Sequence, residues 1–100
     1  MRSRYAAYAI GLADYIIDTT HTDHPAYEIN RKKWKKDILA FTRSTQFIGL
    51  DILDFIEGEY EASVTFRAHL QQAGRDVSFT EKSAFLKEQG RWYYVMGVVH

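Results

Sequence analysis

Apolar residues recur along this chain first at helical and then at strand spacing. Tyr5, Tyr8, Ala9, Leu12, Ile16 and Ile17 fall on one stripe, predicting a helix that starts near Arg4 with Ser3 as its cap. Gly11 weakens that helix but permits close packing, and "DTTHTDHPAYE" ends it with Pro25 as the breaker. "EINRKKWKKDILAFTRS" predicts a second helix whose inward stripe is mainly Trp34, Ile38 and Phe41. From Thr45 the period changes. "TQFIGLDILDFI" is apolar at both parities, so either face can be buried. After the turn signal Glu57-Gly58, Tyr60, Ala62, Val64, Phe66, Ala68 and Leu70 alternate with polar partners. "DVSFTEKSAFLKE" and "RWYYVMGVV" follow, set off by "AGR" and by Gln89-Gly90. The pattern is helices first, then a meander of antiparallel strands.

The turns fix a register. Centring the first on Ala73-Gly74 sets Phe66 opposite Glu81 and Val64 opposite Ser83. Centring the second on Gln89-Gly90 sets Met96 opposite Ser83 and Val98 opposite Glu81. Glu81 is therefore expected on the apolar, helix-covered face, where a carboxylate must be hydrogen-bonded, ion-paired or protonated. Asp51 shares that inner parity if Glu57-Gly58 is a two-residue turn. Tyr93, Val95 and Val99, with Ile48, Leu50 and Ile52, are expected on the outer face, where an apolar patch would suit a homodimer.

Composition narrows the class. A single domain of 100 residues is expected, and at this size it buries roughly 60–70% of its unfolded surface. Thirteen Lys plus Arg balance thirteen Asp plus Glu, so no global charge pulls it toward nucleic acid or acidic membranes. With no cysteine, disulfides and thiolate metal sites are excluded, and a cytoplasmic location is permitted. No apolar run is long enough to span a membrane. The polar residues Tyr5, Tyr8, Asp14 and Tyr15 make the N-terminal stretch amphipathic rather than a signal peptide. No cofactor is implied.

"RSRYAAYAIGLADYIIDTTHTDHPA", "FIGLDIL", "FTEKSAF" and "GRWYYVMG" together resemble the middle domain of the YchJ-like family, and the likeness covers nearly the whole chain. The resemblance implies an α+β fold of nuclear transport factor 2-like type, a cone in which N-terminal helices pack on a curved antiparallel sheet and often leave a pocket. It implies no particular reaction, and fold alone does not give one. YchJ-like proteins typically carry flanking SEC-C segments, short cysteine-rich zinc-binding motifs. This sequence has none, so it is expected to be a trimmed domain or a form without them.

Several residues carry candidate chemistry. Glu81 is either a general acid/base or polar anchor in a pocket, or the partner of Arg2 or Arg4 in a structural ion pair, which we favour. Tyr5, Trp92 and Tyr94 are expected around it, with Trp92, Tyr94 and Met96 filling the pocket if the pair is structural. Ser83 lacks a histidine on its face, so hydrogen bonding to Glu81 or to a helix end suits it better than nucleophilic attack. With Glu81, Ser83 and Asp51 form the enzyme alternative, acting on a small organic substrate. His21, Asp23 and His24 in "HTDH" have ligand spacing for zinc, but Asp and Thr before Pro25 also make ordinary turn caps. "NRKKWKKD" could bind RNA through phosphates with Trp34 stacking, yet a solvated helix face with Trp34 in the core explains it better. The sequence points to a ligand-binding or interaction module rather than an enzyme.

Overall fold

The computed structural model describes residues 1–25 and 27–100; Ala26, in the expected inter-helix turn, lies outside the described residues. Helices α1 (Arg2–Ile10), α2 (Ala13–Asp18) and α3 (Arg31–Ser44) precede strands β1 (Gln46–Glu57), β2 (Glu61–Gln72), β3 (Arg75–Asp76), β4 (Phe79–Glu88) and β5 (Arg91–Val99). The sheet is antiparallel in the order β1-β2-β4-β5, with the short β3 pairing beside the end of β2.

The first predicted helix is two. Gly11 adopts the left-handed conformation (φ 77°) that closes α1, which only glycine accepts cheaply, and its N–H returns to the carbonyls of the last turn. The break lets α2 turn off and bury Ala13, Ile16 and Ile17. Ser3 does not cap. It lies inside α1, where its hydroxyl accepts from Tyr15, a bond joining α1 to α2. In α3 the Asn30 side chain accepts from the Lys33 N–H, a true N-cap, and Ile38 is the buried residue of the stripe.

The turns after β2 and β4 match the sequence, whereas that after β1 is wider than the expected Glu57-Gly58 pair, because Glu57 stands opposite Ala62. Ala73-Gly74 and Gln89-Gly90 each hold two consecutive positive φ values, the geometry that suits strand twist. The core falls into two clusters. Ala7, Ala13, Ile16, Ile17 and Ile38 knit the helices together. Val64, Phe66, Ala68, Leu70 and Phe85 line the inner sheet face, where Met1, just before α1, and Tyr5 of α1 pack on them. Burying each of the larger side chains stabilises the fold by roughly 1.5–3 kcal/mol.

Three bulges alter the expected register. β1 slips at Ile48 and again at Leu53, and β5 slips at Val95. An extra residue reverses the parity beyond it. Leu50 and Ile52 therefore face inward, opposite Ala68 and Phe66, and Asp51 faces outward, opposite Arg67. In β5 Gly97, not Met96, stands opposite Ser83, and Val99, not Val98, opposite Glu81. Met96 and Val98 are exposed on the outer face with Ile56. Val99 has the inner parity but is also exposed, at the strand end.

Candidate functional site: a carboxylate in an aromatic cavity

β4 places Glu81 and Ser83 on the inner face, beside Phe66 and Val64 as the turn register requires. Ser83 is fully buried, and its hydroxyl donates to Glu81 Oε2 at 2.5 Å. The Tyr94 hydroxyl, from β5, donates to the same oxygen at 3.1 Å. Gly97 makes the arrangement possible. A Cβ there would collide with the Glu81 carboxyl group and the Tyr94 hydroxyl, so the strand must be bare at that point. Burial, then the charge of Glu81 and the hydrogen bond to it, raise the Tyr94 phenol well above its ordinary pKa.

Arg4 does not pair with Glu81. Its guanidinium is buried against α2, donating to the Ile16 carbonyl at 3.2 Å and to the hydroxyls of Thr19 and Thr20 at 2.5 and 3.4 Å. It also lies 4.7 Å over the Tyr94 ring. The carbonyl and hydroxyls at the end of α2 accept from several of its N–H donors at once. Burial draws Arg4 below its ordinary range, while neighbouring phenols and, more weakly, Glu81 act the other way. Arg2 is exposed on α1 and makes no ion pair with Glu81.

Between α1, α3 and the sheet lies a cavity of about 510 Å³, lined by Arg4, Tyr5, Tyr8, Trp34, Phe66, Phe79, Glu81 and Tyr94 among others. That volume suits a small organic molecule. Edge-to-face ring pairs build its walls: Phe66 with Phe79 at 5.9 Å, Tyr5 with Phe47 at 5.5 Å, and Phe41 with Phe47 at 6.0 Å. The Tyr5 hydroxyl is sealed within the protein, toward the Gly49 backbone. Exposed Lys33 and half-buried Glu28, 3.9 Å apart, lie at the rim.

Other expected site residues lie elsewhere. Trp92 lines a second cavity of about 670 Å³ beyond α1, with Tyr93, Arg91 and Phe55, while Arg4 and Met1 border both cavities. Asp51 bonds His69 at 2.7 Å on the outer face, away from Glu81. His21 is buried, with Nε2 2.8 Å from Glu88 and Nδ1 accepting from the Asp23 N–H. The His24 ring stands 5.1 Å from the Tyr94 ring. Among the described residues no cluster of His, Asp and Glu could hold a metal ion. Of the basic run, Arg31 pairs with Asp14 and Asp18, and Lys35 with Asp14. Sequence reasoning missed Gly97 and Tyr8; a glycine inside a strand was the signal available for the first.

A family model described as "YchJ, middle NTF2-like domain" matches residues 1–97. The chain belongs to that family. As a YchJ middle domain it is similar to a UPF0225 protein of Photorhabdus laumondii, 40% identical over 102 residues that cover 98% of this chain and 61% of that protein. A UPF0225 protein of Vibrio vulnificus strain YJ016 is 34% identical over 99 residues, 97% of this chain and 56% of that protein. The chain thus spans a little over half the length of these curated relatives. The solution structure of a SEC-C motif containing protein from Rhodopseudomonas palustris matches with a TM-score of 0.83 and 33% identity, covering all of this chain and 75% of that one. The helices-then-sheet order is that of the nuclear transport factor 2-like fold. Among the described residues no helix is long and apolar enough to cross a membrane.

Proposed function

We propose that this YchJ middle domain is a ligand-binding module whose site is the cavity ending at Glu81. One observation carries it: the cavity reaches a carboxylate that its own protein has not neutralised by a direct ion pair. A structural role would have joined Glu81 to Arg4 and filled the space with side chains. Instead Arg4 is bonded to α2, and of the expected fillers Trp92 lines the other cavity and Met96 is exposed on the outer face, which leaves Tyr94 at Glu81. Ser83 is buried and bonded to Glu81, so it supports the carboxylate rather than attacking a substrate. Asp51 lies on the far face, which leaves the acid/base alternative with Glu81 alone. The intramolecular pairing of Arg31 and Lys35 weakens the case for phosphate contacts along α3.

The test is a fragment screen followed in amide NMR spectra. Hits are expected to move the resonances of Phe66, Glu81 and Tyr94 and to change Trp34 fluorescence. Hits that gather on the outer sheet face, around Ile56 and Val98, would overturn the assignment of the site.

A further inference from the structure

We propose that the cavity selects flat, mostly apolar molecules that carry a hydrogen-bond donor, seated with that donor on Glu81 Oε1. The inference deepens the ligand-binding reading above and rests on it. The two oxygens of Glu81 are in different situations. Oε2 accepts from both Ser83 and Tyr94. Among the described residues Oε1 receives no donor, and it is not among the sealed polar atoms, so it stays within reach of a ligand.

Most donors nearby are already committed; the Tyr8 hydroxyl, also on the cavity wall, lies beside Arg4. The Ser83 and Tyr94 hydroxyls point at Oε2, and the Arg4 guanidinium is turned to the carbonyl and hydroxyls at the end of α2. At Glu81 itself the cavity therefore offers an acceptor. A carboxylate that receives hydrogen bonds from neutral hydroxyls can only accept. A ligand with an N–H or O–H gains a bond there. One with only an acceptor strips water from Oε1 and from itself and replaces neither bond, the situation in which sites discriminate most strongly. A ligand carboxylate would meet Glu81 directly. Arg4, close by over the Tyr94 ring, partly balances the charge of Glu81, so a neutral donor is enough. The edge-to-face aromatic walls favour a flat ring system over a branched chain.

The experiment uses probes of one shape and different hydrogen-bonding character: indole (donor), benzofuran (no donor) and 1-indanone (acceptor). Each is titrated into the 15N-labelled domain and into Glu81→Gln, reading the cavity amides. Indole is expected to bind roughly ten-fold more tightly than benzofuran, with 1-indanone weakest. In Glu81→Gln the side-chain carbonyl can take the bonds from Ser83 and Tyr94, turning the amide NH2 to the cavity, and the order of indole and 1-indanone should invert. 1-Methylindole on the unaltered protein repeats the comparison without relying on that variant folding; it should lose most of the affinity of indole. Equal affinities for all probes at the cavity would overturn donor selection and leave the ligand-binding site standing. Tightest binding of 1-indanone to the unaltered protein would do the same, by showing that Glu81 donates. No movement of any cavity amide with any probe would overturn both the selection and the site.

Discussion

Gly97 holds an ordinary strand backbone, yet the carboxyl of Glu81 occupies the space where a side chain would start. Gly97→Ala must displace Glu81 or Tyr94, breaking bonds to a half-buried carboxylate. We expect it to cost about 1–3 kcal/mol, measured by urea unfolding, and to weaken indole binding. An unchanged midpoint would mean the carboxyl moves freely. His24 makes a second prediction at this scale. Burial first, and then the charge of Arg4, hold its pKa below that of an ordinary histidine, with Glu81 acting the other way. The native state therefore binds protons less readily than the unfolded chain. Its contribution to stability is complete above the unfolded value, near 6.5, and is lost as pH falls through the folded value. The melting temperature should fall between pH 7.5 and pH 5, and His24→Gln should shrink that fall. A fall of the same size in the variant would assign it to other groups.

Among the elements, those with strong local signals were legible. The alternation from Ala62 to Leu70 and the Ala73-Gly74 turn placed Glu81 opposite Phe66 and Ser83 opposite Val64, as the structure has them. The hydrogen bond from Ser83 to Glu81 follows from that shared face. What was hidden is what bulges do. A bulge leaves little trace in a strand such as "TQFIGLDILDFI", where apolar residues occupy both parities, yet each one turns the rest of the strand over. Asp51 exchanged the cavity for His69, and Met96 gave way to Gly97, through one inserted residue apiece. Arg4 was legible as a buried partner but not its target. Its bonds to Ile16, Thr19 and Thr20 depend on the turn at Gly11, which brings α2 back across α1.

At the scale of the molecule, helices and sheet enclose space that they do not fill, and space of that kind sets stability against binding. Ala68 is buried on the inner face and lines the Glu81 cavity. Ala68→Met should fill part of it, raising stability by up to about 1 kcal/mol while weakening indole binding, as read by urea unfolding and NMR titration. A destabilised variant that still binds indole fully would place the space elsewhere. The strand margins have a different consequence. The chain has no formal net charge, so copies are not kept apart by repulsion, and an open sheet border would invite strand-to-strand aggregation. Both borders are interrupted. The bulges at Ile48 and Leu53 break the ladder along β1, and the segment leaving α2 occupies β5 through Tyr94 N–H to Thr19 O at 2.7 Å and His21 N–H to Tyr94 O at 2.8 Å. The same irregularities that decide which side chains reach the cavity also deprive a second molecule of a straight edge on which to polymerise.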